Sequence, residues 1–415
     1  MPGVEDLAAE LTRELDRRLA DEDAALVERF PGERPGRQPV HTVYVPADRY
    51  DADLTRAWGE QATQAMTDRE EILRETLGEA ADDLLPLVGA KLREEPIEDL
   101  RIDFEDGYGV RPDEVEDADV SRAAQALARS QAEGTQAPSY GIRFKSFERP
   151  TRRRGVATLV GFVDGLLSSG GHLDGFVVTL PKVTSVAQVE AMASACDRAE
   201  THLGLADGTL RFEIQVETPQ SILGPDGAAL VARMVHAAPA RVAGLHYGTY
   251  DYSAFCGIAA PYQSLEHPVA DHAKAVMQAA AAGTGVRLSD GSTNVLPVGD
   301  DEQVRRAWAL HLRLVRRSLE RGFYQGWDLH PAQLPTRYAA TYAFYRDGAD
   351  AATDRLRRYA TRAGGGILDE PATARALADF VVRGLECGAL TTEETERATG
   401  QTTAGLTALA RPVRA

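Results

Sequence analysis

Two carboxylates, Glu217 and Asp251, each stand at the exit of a short apolar stretch, and their placement decides what chemistry the chain can attempt. In RFEIQVETPQ, residues 211–220, Phe212, Ile214 and Val216 alternate with Glu213, Gln215 and Glu217, a period of two that predicts a strand, and Pro219 ends it. In RVAGLHYGTYDYSAF, residues 241–255, Val242, Leu245 and Tyr247 form a second apolar run that Gly248 breaks just before Asp251. If the two strands are parallel neighbours, both carboxylates rise from the same end of one sheet, where α/β architectures place ligands. Like charges held together there repel unless a proton or a cation intervenes. Hard oxygen donors suit Mg²⁺, which is commonly held by a carboxylate or two plus substrate and water. Either acid taken alone reads as a solvated loop residue or a helix cap, so the assignment rests on the set.

The rest of the set comes from the other elements. IEDLRIDFEDGYGVRP, 97–112, predicts a strand that ends in Asp103, Glu105 and Asp106; SYGIRFKSFE, 139–148, carries Arg143; DGFVVTLPKV, 174–183, runs out at Lys182; YQGWDLHPAQLP, 324–335, leads to His330. VHTVYVPADRY, 40–50, supplies a first strand, and a weaker seventh lies within VRLSDGSTNVLPVGD, 286–300. Helical patterns over 120–131, 155–168, 185–203, 226–237, 269–283 and 301–321 separate them. Strict alternation of strands and helices over most of the chain predicts an α/β fold, a (β/α)₈ TIM barrel, rather than an open doubly wound sheet. Neither G-x-G-x-x-G nor G-x-x-x-x-G-K-[ST] follows any predicted strand, so the nucleotide-binding folds lack their fingerprint. In a barrel, the chemistry-bearing residues named so far fall at strand C-terminal ends, the catalytic face.

Around this barrel, assigned to 37–335 with a helical insertion near 52–95, the sequence predicts two appendages. Residues 1–36 read as a helical extension, with Leu7, Leu11, Leu15 and Leu19 at every fourth position, followed by the Pro/Gly-rich linker PGERPGRQP at 31–39. Residues 336–415 read as a helical lid region, interrupted by AGGGILDEP at 363–371. With 415 residues and 43% hydrophobic content the chain can bury a large core. Its net charge of -17 disfavours nucleic acid as a partner. Cys196, Cys256 and Cys387 have no metal-ligand or disulfide spacing. An acidic N-terminus without a signal-peptide pattern, and no apolar run of membrane-spanning length, lead us to expect a cytoplasmic protein with no membrane partner.

A metal beside an arginine suggests a particular reaction. Mg²⁺ can chelate a 2-oxo-acid through its carboxylate and keto oxygens and stabilise the enolate formed when an adjacent carbon–carbon bond is made or broken. Arg143 can clamp the same oxygens with two parallel hydrogen bonds, unless it is spent on a barrel acid such as Glu105 or Glu213. Lys182 can form a Schiff base only if its pKa is depressed; an ion-pairing role is the expectation. His330 is expected to cap a turn rather than act as a base.

Eight ordered segments carry a family resemblance: VYVPA (43–47), DFEDGYG (103–109), GIRFKSF (141–147), LPKV (180–183), QVET (215–218), YGTYD (247–251), DLHPAQL (328–334) and ILDEP (367–371). Together they resemble the citrate lyase β-subunit-like family, within the wider superfamily of aldolases and lyases that act on pyruvate-like and phosphoenolpyruvate-like substrates. The resemblance spans about 40 to 385. It implies that Glu217 and Asp251 hold Mg²⁺ and that Arg143 contacts substrate, with Asp103, Lys182, Gly248 and Thr249 lining the substrate site. Metal-dependent pyruvate aldolases of this superfamily carry D-x-E-H at the second strand, whereas this chain has Asp103-Phe104-Glu105-Asp106. The acidic version is similar to thioester lyases and malate synthases, and makes Glu105 and Asp106 catalytic candidates with Arg143. In that branch an aspartate in an I-D-x-P-like segment comes over the site as a lid, often from a neighbouring subunit; Leu368-Asp369-Glu370-Pro371 matches it, so Asp369 is a fourth catalytic candidate and a homo-oligomer is expected.

The chain departs from a minimal member in its N-terminal extension, its enlarged segment after the first strand, and Gly107-Tyr108 after the second acid. Coenzyme A is therefore not carried over as a ligand. The expected activity is a Mg²⁺-dependent carbon–carbon lyase, or the reverse condensing enzyme, acting on a 2-oxo-acid or a 3-hydroxy-acyl thioester. The alternatives are a metal-dependent pyruvate-type aldolase that uses no thioester, and a catalytically silent barrel that binds a metabolite.

Overall fold

The computed structural model describes residues 3–361 and 370–412. Alternating stretches form eight strands: β1 His41–Pro46, β2 Asp99–Asp103, β3 Ser139–Arg143, β4 Phe176–Leu180, β5 Arg211–Val216, β6 Val242–Tyr247, β7 Arg287–Ser289 and β8 Gly326–Asp328. Helix α1 (Val4–Arg29) precedes them, and α2 (Leu54–Asp68), α3 (Glu70–Leu77) and α4 (Ala81–Glu94) fill the first crossover. The later crossovers hold α5 (Asp113–Glu133), α6 (Arg152–Ser168), α7 (Val186–Leu203), α8 (Pro219–Ile222), α9 (Leu230–Ala237), α10 (Thr249–Phe255), α11 (Pro268–Ala281) and α12 (Asp301–Glu320). After β8 come α13 (Leu334–Thr361), α14 (Pro371–Glu386), α15 (Thr392–Thr399) and α16 (Thr403–Ala410).

All neighbouring strands are parallel, in the order β7-β6-β5-β4-β3-β2-β1-β8. The ring closes where Ser289 bridges Gln325 and the Asp290 amide donates to the Gln325 carbonyl at 2.8 Å. The predicted (β/α)₈ barrel is therefore the fold. The weak seventh strand is only three residues long, because Asp290-Gly291 turns the chain away. Helix α5 starts at Asp113, ahead of the apolar pattern. Pro112 sets its entry, and Asp113, Glu114 and Glu116 meet the positive end of the helix dipole.

The alternation sorts each strand between two buried environments. Val43, Val45, Leu100, Ile102, Ile142, Val178, Phe212, Ile214 and Val216 face the helices and join one continuous apolar core. The opposite residues point into the barrel, and they are polar. Arg101 on β2 reaches across to Glu213 on β5, a strand it does not pair with, through Nε at 3.0 Å and Nη2 at 2.9 Å. Arg101 also pairs with Asp99. Thr179 donates to Glu213 at 2.6 Å, His246 Nε2 lies 2.9 Å from the same carboxylate, and Trp327 Nε1 donates to His246 Nδ1 at 3.3 Å. A fully enclosed charge is tolerated only with its partners in place.

The appendages gather at the N-terminal mouth. Helix α1 buries none of its residues, and Leu7, Leu11, Leu15 and Leu19 stay exposed among the described residues. The linker crosses the strand starts. Gly32 N donates to the Gly283 carbonyl at 2.8 Å and Arg34 Nη2 to the Val242 carbonyl at 2.8 Å, while Gln38 Nε2 donates to the Leu288 carbonyl at 3.0 Å. Helices α13 and α14 pack antiparallel through Tyr345 and Phe380, whose rings are 5.1 Å apart, and Arg383 donates to Gln38 Oε1 at 2.8 Å. Among the described residues no helix is long and apolar enough to cross a membrane.

Burial alone would push the Glu213 carboxyl up, but Arg101 and His246 outweigh it and hold it well below the ordinary carboxylate range. Asp328, buried beneath Arg337, His311 and His41, is likewise held far below that range against the effect of burial. Folded-state values below the unfolded ones contribute stability that is complete above the unfolded pKa, about 4, and is lost as pH falls through and below it. Urea unfolding should therefore show stability declining from about pH 5 downward. Glu213→Gln, which leaves Arg101 short of a charge partner, should cost about 3–5 kcal/mol at pH 7 and flatten the acid decline.

Candidate active site

At the C-terminal mouth the sequence from Asp103 to Gly107 folds around one carboxylate. Asp103 accepts the backbone N–H groups of Glu105 at 3.0 Å and Gly107 at 2.9 Å. Only glycine fits at 107, since a Cβ there would lie 2.6 Å from Asp103 Oδ2. The same carboxylate receives the fork of Arg143, its register partner on β3, with Nε and Nη2 each at 2.7 Å. Asp103 is thus filled by four donors and fixes Arg143. The guanidinium also lies 4.8 Å from the centre of the Tyr44 ring. Nη1 is left facing the mouth, 3.5 Å from Glu105 Oε2.

Glu217 and Asp251 leave β5 and β6, which pair in parallel, so the two acids share one end of the sheet. Glu217 is 2% exposed. Gly248 permits this, because a Cβ there would lie 2.5 Å from Glu217 Cβ. Asp251 sits in the first turn of α10, half-exposed. Between the acids stands Lys182. Its backbone N–H donates to Glu217 Oε1 at 2.7 Å, and its ammonium lies 2.8 Å from Glu105, 2.9 Å from Asp106 and 3.1 Å from Asp251. Lys182 is the one non-glycine among the described residues with positive φ, +51°, a strained backbone that this carboxylate contact holds in place.

Burial pushes the Glu217 carboxyl up to about 7, a rise that Lys182 and Arg143 oppose and Asp251 reinforces. Burial likewise pushes Glu105 up to about 7, against Arg143 and with the help of a hydrogen bond to Asp106. Asp106 is held below its ordinary range: burial raises it, but Glu105, Arg143 and Lys182 together outweigh that. One acid of this adjacent pair therefore carries a proton near neutrality while the other stays ionised. The Lys182 ammonium is raised, since Glu217, Glu105 and Asp106 outweigh the cost of its burial. That is the opposite of what a Schiff-base lysine needs.

The structure brings Asp103, Glu105, Asp106, Arg143, Lys182, Glu217 and Asp251 to one mouth. Gly248 and Thr249 stand beside them as the turn into α10, with the Thr249 hydroxyl donating to the Ser292 carbonyl at 3.2 Å. His330 caps the turn after β8, its Nδ1 accepting from Ala332 N at 3.1 Å. Asp369 lies outside the described residues. Two residues escaped the sequence reading. Tyr44 gave no polar signal. Gln215, with its amide oxygen toward Arg143, accepts from Nη1 at 3.3 Å and donates to Glu217 Oε1 at 3.3 Å, linking arginine to acid. The period of two that put Gln215 and Glu217 on one face of β5 could have found it.

Among the described residues no group of at least three His, Cys, Asp or Glu side chains converges as a metal cage. By donor type, Glu217 and Asp251 still fit a hard dication that keeps water and substrate in its remaining positions. Burial raises Glu217 and Asp251 adds to the rise, and such an ion relieves both.

The fold is shared with solved structures. A citrate lyase from Burkholderia xenovorans LB400 matches with a TM-score of 0.58 at 19% identity, over 88% of this chain and 98% of that one. The malate synthase of Haloferax volcanii in its magnesium/glyoxylate complex matches with a TM-score of 0.51 at 15% identity, over 92% and 100% of the two chains. Its lead(II) complex gives 0.50 at 17% identity, over 91% of each. At these identities the likeness is one of fold. The curated proteins include no match to this chain. The family model described as "Domain of unknown function (DUF6986)" covers residues 19–414, and the chain belongs to that family.

Proposed function

We propose that this protein is a Mg²⁺-dependent carbon–carbon lyase, or the condensing enzyme that runs the same reaction in reverse, acting on a 2-oxo-acid or a 3-hydroxy-acyl thioester. The observation that carries this reading is Arg143, buried and locked by Asp103 with one nitrogen left toward a mouth rimmed by Glu105, Asp106, Glu217 and Asp251. Further support is the fold shared with a malate synthase whose structure holds magnesium and glyoxylate, itself a 2-oxo-acid. Glu217 and Asp251 would hold Mg²⁺, which would supply positive charge to stabilise the substrate's carbonyl and carboxylate oxygens.

The chain's own residues do the rest. In the cleavage direction Glu105, as carboxylate, takes the proton of the substrate hydroxyl. The carbon–carbon bond then breaks, and its electron pair passes to the departing fragment as an enolate. Arg143 Nη1 donates to the developing negative oxygen, held in place before the reaction begins by Asp103, Tyr44 and Gln215. The contact with Glu105, the charge of Arg143 and Lys182 together keep Asp106 ionised, so that only one of the pair exchanges its proton near neutrality.

Asp369, in its protonated form, is proposed to deliver a proton to the enolate carbon from a neighbouring subunit, while the hydroxyl proton stays on Glu105. Helix α13 starts just past β8 at the catalytic mouth, and its 28 residues carry the chain about 40 Å from its start. Helix α14 returns antiparallel, with Phe380 against Tyr345 and Tyr342 donating to the Cys387 carbonyl at 3.2 Å, so Glu370 begins beside the far end of α13. The end of α13 and the start of α14, which flank the Asp369 segment, thus lie far from this chain's own mouth. Mixing Arg143→Ala with Asp369→Ala under subunit exchange should recover part of the lost activity, because some hybrid sites hold both intact residues. An Asp369→Ala enzyme with unchanged turnover and pH profile removes this role.

The metal assignment is tested by calorimetry: Glu217→Ala and Asp251→Ala should each abolish Mg²⁺-dependent binding of glyoxylate or pyruvate. Unchanged binding in Asp251→Ala refutes it. For the base, kcat/KM measured with and without a thioester on the substrate should rise with pH through about 7, as Glu105 loses its proton, and level off above. Glu105→Gln should remove that limb and cost about 10²–10⁴-fold. Arg143→Lys keeps the charge but loses the fork, and should cost about 10²-fold or more in kcat with thermal stability followed alongside.

A further inference from the structure

At the opposite mouth, where strands begin, lies a cavity of about 300 Å³ that the proposed reaction does not use. It is roofed by the 34–39 linker and walled by the first residues of β5 and β7, Arg211 and Arg287. From Arg211 to Glu217 is about 20 Å along β5, so the cavity and the catalytic mouth are separate. Its lining is cationic in a chain whose net charge is -17. Arg101 accounts for the two acids in the wall, Asp99 and Glu213. Arg37 is paired with Glu95 at 2.7 Å.

Three arginines remain without a carboxylate within 4.0 Å among the described residues: Arg34, Arg211 and Arg287. Arg34 donates only to carbonyls, at 3.0 and 2.8 Å, and its Nη1 is buried without a hydrogen-bond partner. The Arg211 side chain makes no hydrogen bond among the described residues, and its Nε is buried as well. Arg287 donates through Nη2 to the Gly36 carbonyl at 2.8 Å. Burial lowers Arg211; burial with Arg383, Arg211 and Arg411 close by, against Glu386, pushes Arg287 down to about 10; both stay charged at neutral pH, as guanidinium groups in proteins do. Partly buried, unpaired guanidinium groups that converge on a cavity are costly unless anionic oxygens meet them, and their planar forks match phosphate and carboxylate geometry.

We propose that this N-terminal mouth is a second binding site, in which Arg34, Arg211 and Arg287 grip a small multivalent oxyanion, either a phosphate group or a compact polycarboxylate. Because Arg34 belongs to the linker and the other two to the barrel, the bound anion fastens the linker across the strand starts. Binding is linked to the stability of the whole chain.

The test uses the full chain in Mg²⁺-free buffer, titrated calorimetrically with inorganic phosphate and separately with citrate, with sodium chloride at matched ionic strength as control. The expected result is saturable binding of phosphate or citrate and a thermal midpoint that rises beyond the chloride control. Whichever anion binds more tightly identifies the ligand class. Arg211→Gln and Arg287→Gln should each weaken binding about tenfold or more, while Asp251→Ala, at the catalytic mouth, leaves it unchanged. Arg287→Lys, which keeps the charge and loses the fork, should fall between. No saturable heat, and no gain in midpoint over chloride for the unmodified protein, overturns the proposal. So does binding that survives both glutamine variants or disappears in Asp251→Ala. If the glutamine variants fail to fold, the midpoint of the unmodified protein decides.

Discussion

Arg101 and Glu213 meet in the middle of the barrel from strands that do not pair with each other, and much of the molecule is arranged so that they can. A barrel of eight short strands usually fills its interior with branched aliphatic side chains. Here the interior is a hydrogen-bonded stack: Asp99 with Arg101, then Glu213 with Thr179 and His246, then Tyr44 beneath Arg143. Charge enclosed in this way leaves no slack in register. A slip of one residue on β2 would send Arg101 and Asp103 into the apolar helical layer and bring Leu100 and Ile102 inward. The outer face must then supply nearly all of the apolar burial, which explains the continuous core between strands and helices.

That constraint also explains what the sequence could and could not reveal. Alternation in RFEIQVE marks β5 without ambiguity, yet it suggests an apolar inside and a polar outside, whereas both faces of β5 are buried. The periodic signal reports two environments and not which of them is the barrel interior. Asp103 was expected to line the substrate site because the family resemblance implies it. Its role as the fixed partner of Arg143 comes from the β2–β3 register, which pairs those two residues across a gap of forty positions that no local pattern spans. The period of two places Gln215 on the face of Glu217, but that it also touches Arg143 comes from the fold. By contrast Glu217 and Asp251 were legible, since a carboxylate just past a strand end depends only on where the strand stops.

Lys182 shows how a local departure can mark a shared site. A lysine with positive φ gives up backbone comfort, and what it gains is an amide aimed at Glu217 together with an ammonium between Glu105, Asp106 and Asp251. The sequence led us to expect an ion-pairing lysine at the substrate site, with no sign of its backbone strain. The strain becomes intelligible only once four carboxylates from three different loops are seen to converge, because without that cation their repulsion would spread the mouth open.

Charge therefore changes sign along the barrel axis, from unpaired arginines at the strand starts, through compensated pairs in the middle, to excess acid at the strand ends. At the acidic end Arg143 is already balanced by Asp103, which leaves Lys182 as the one cation set against Glu105, Asp106, Glu217 and Asp251 among the residues that meet there. An anionic oxo-acid approaching this mouth adds a further negative charge to that excess. It can settle only if positive charge arrives with it, as protons on Glu105 and Glu217 or as a dication on Glu217 and Asp251. Protons alone would disarm Glu105, the one acid positioned both beside Arg143 Nη1 and near neutrality. In the proposed reaction a dication on Glu217 and Asp251 would leave Glu105 free to exchange its proton, so the charge count agrees with the proposed metal and the proposed base together.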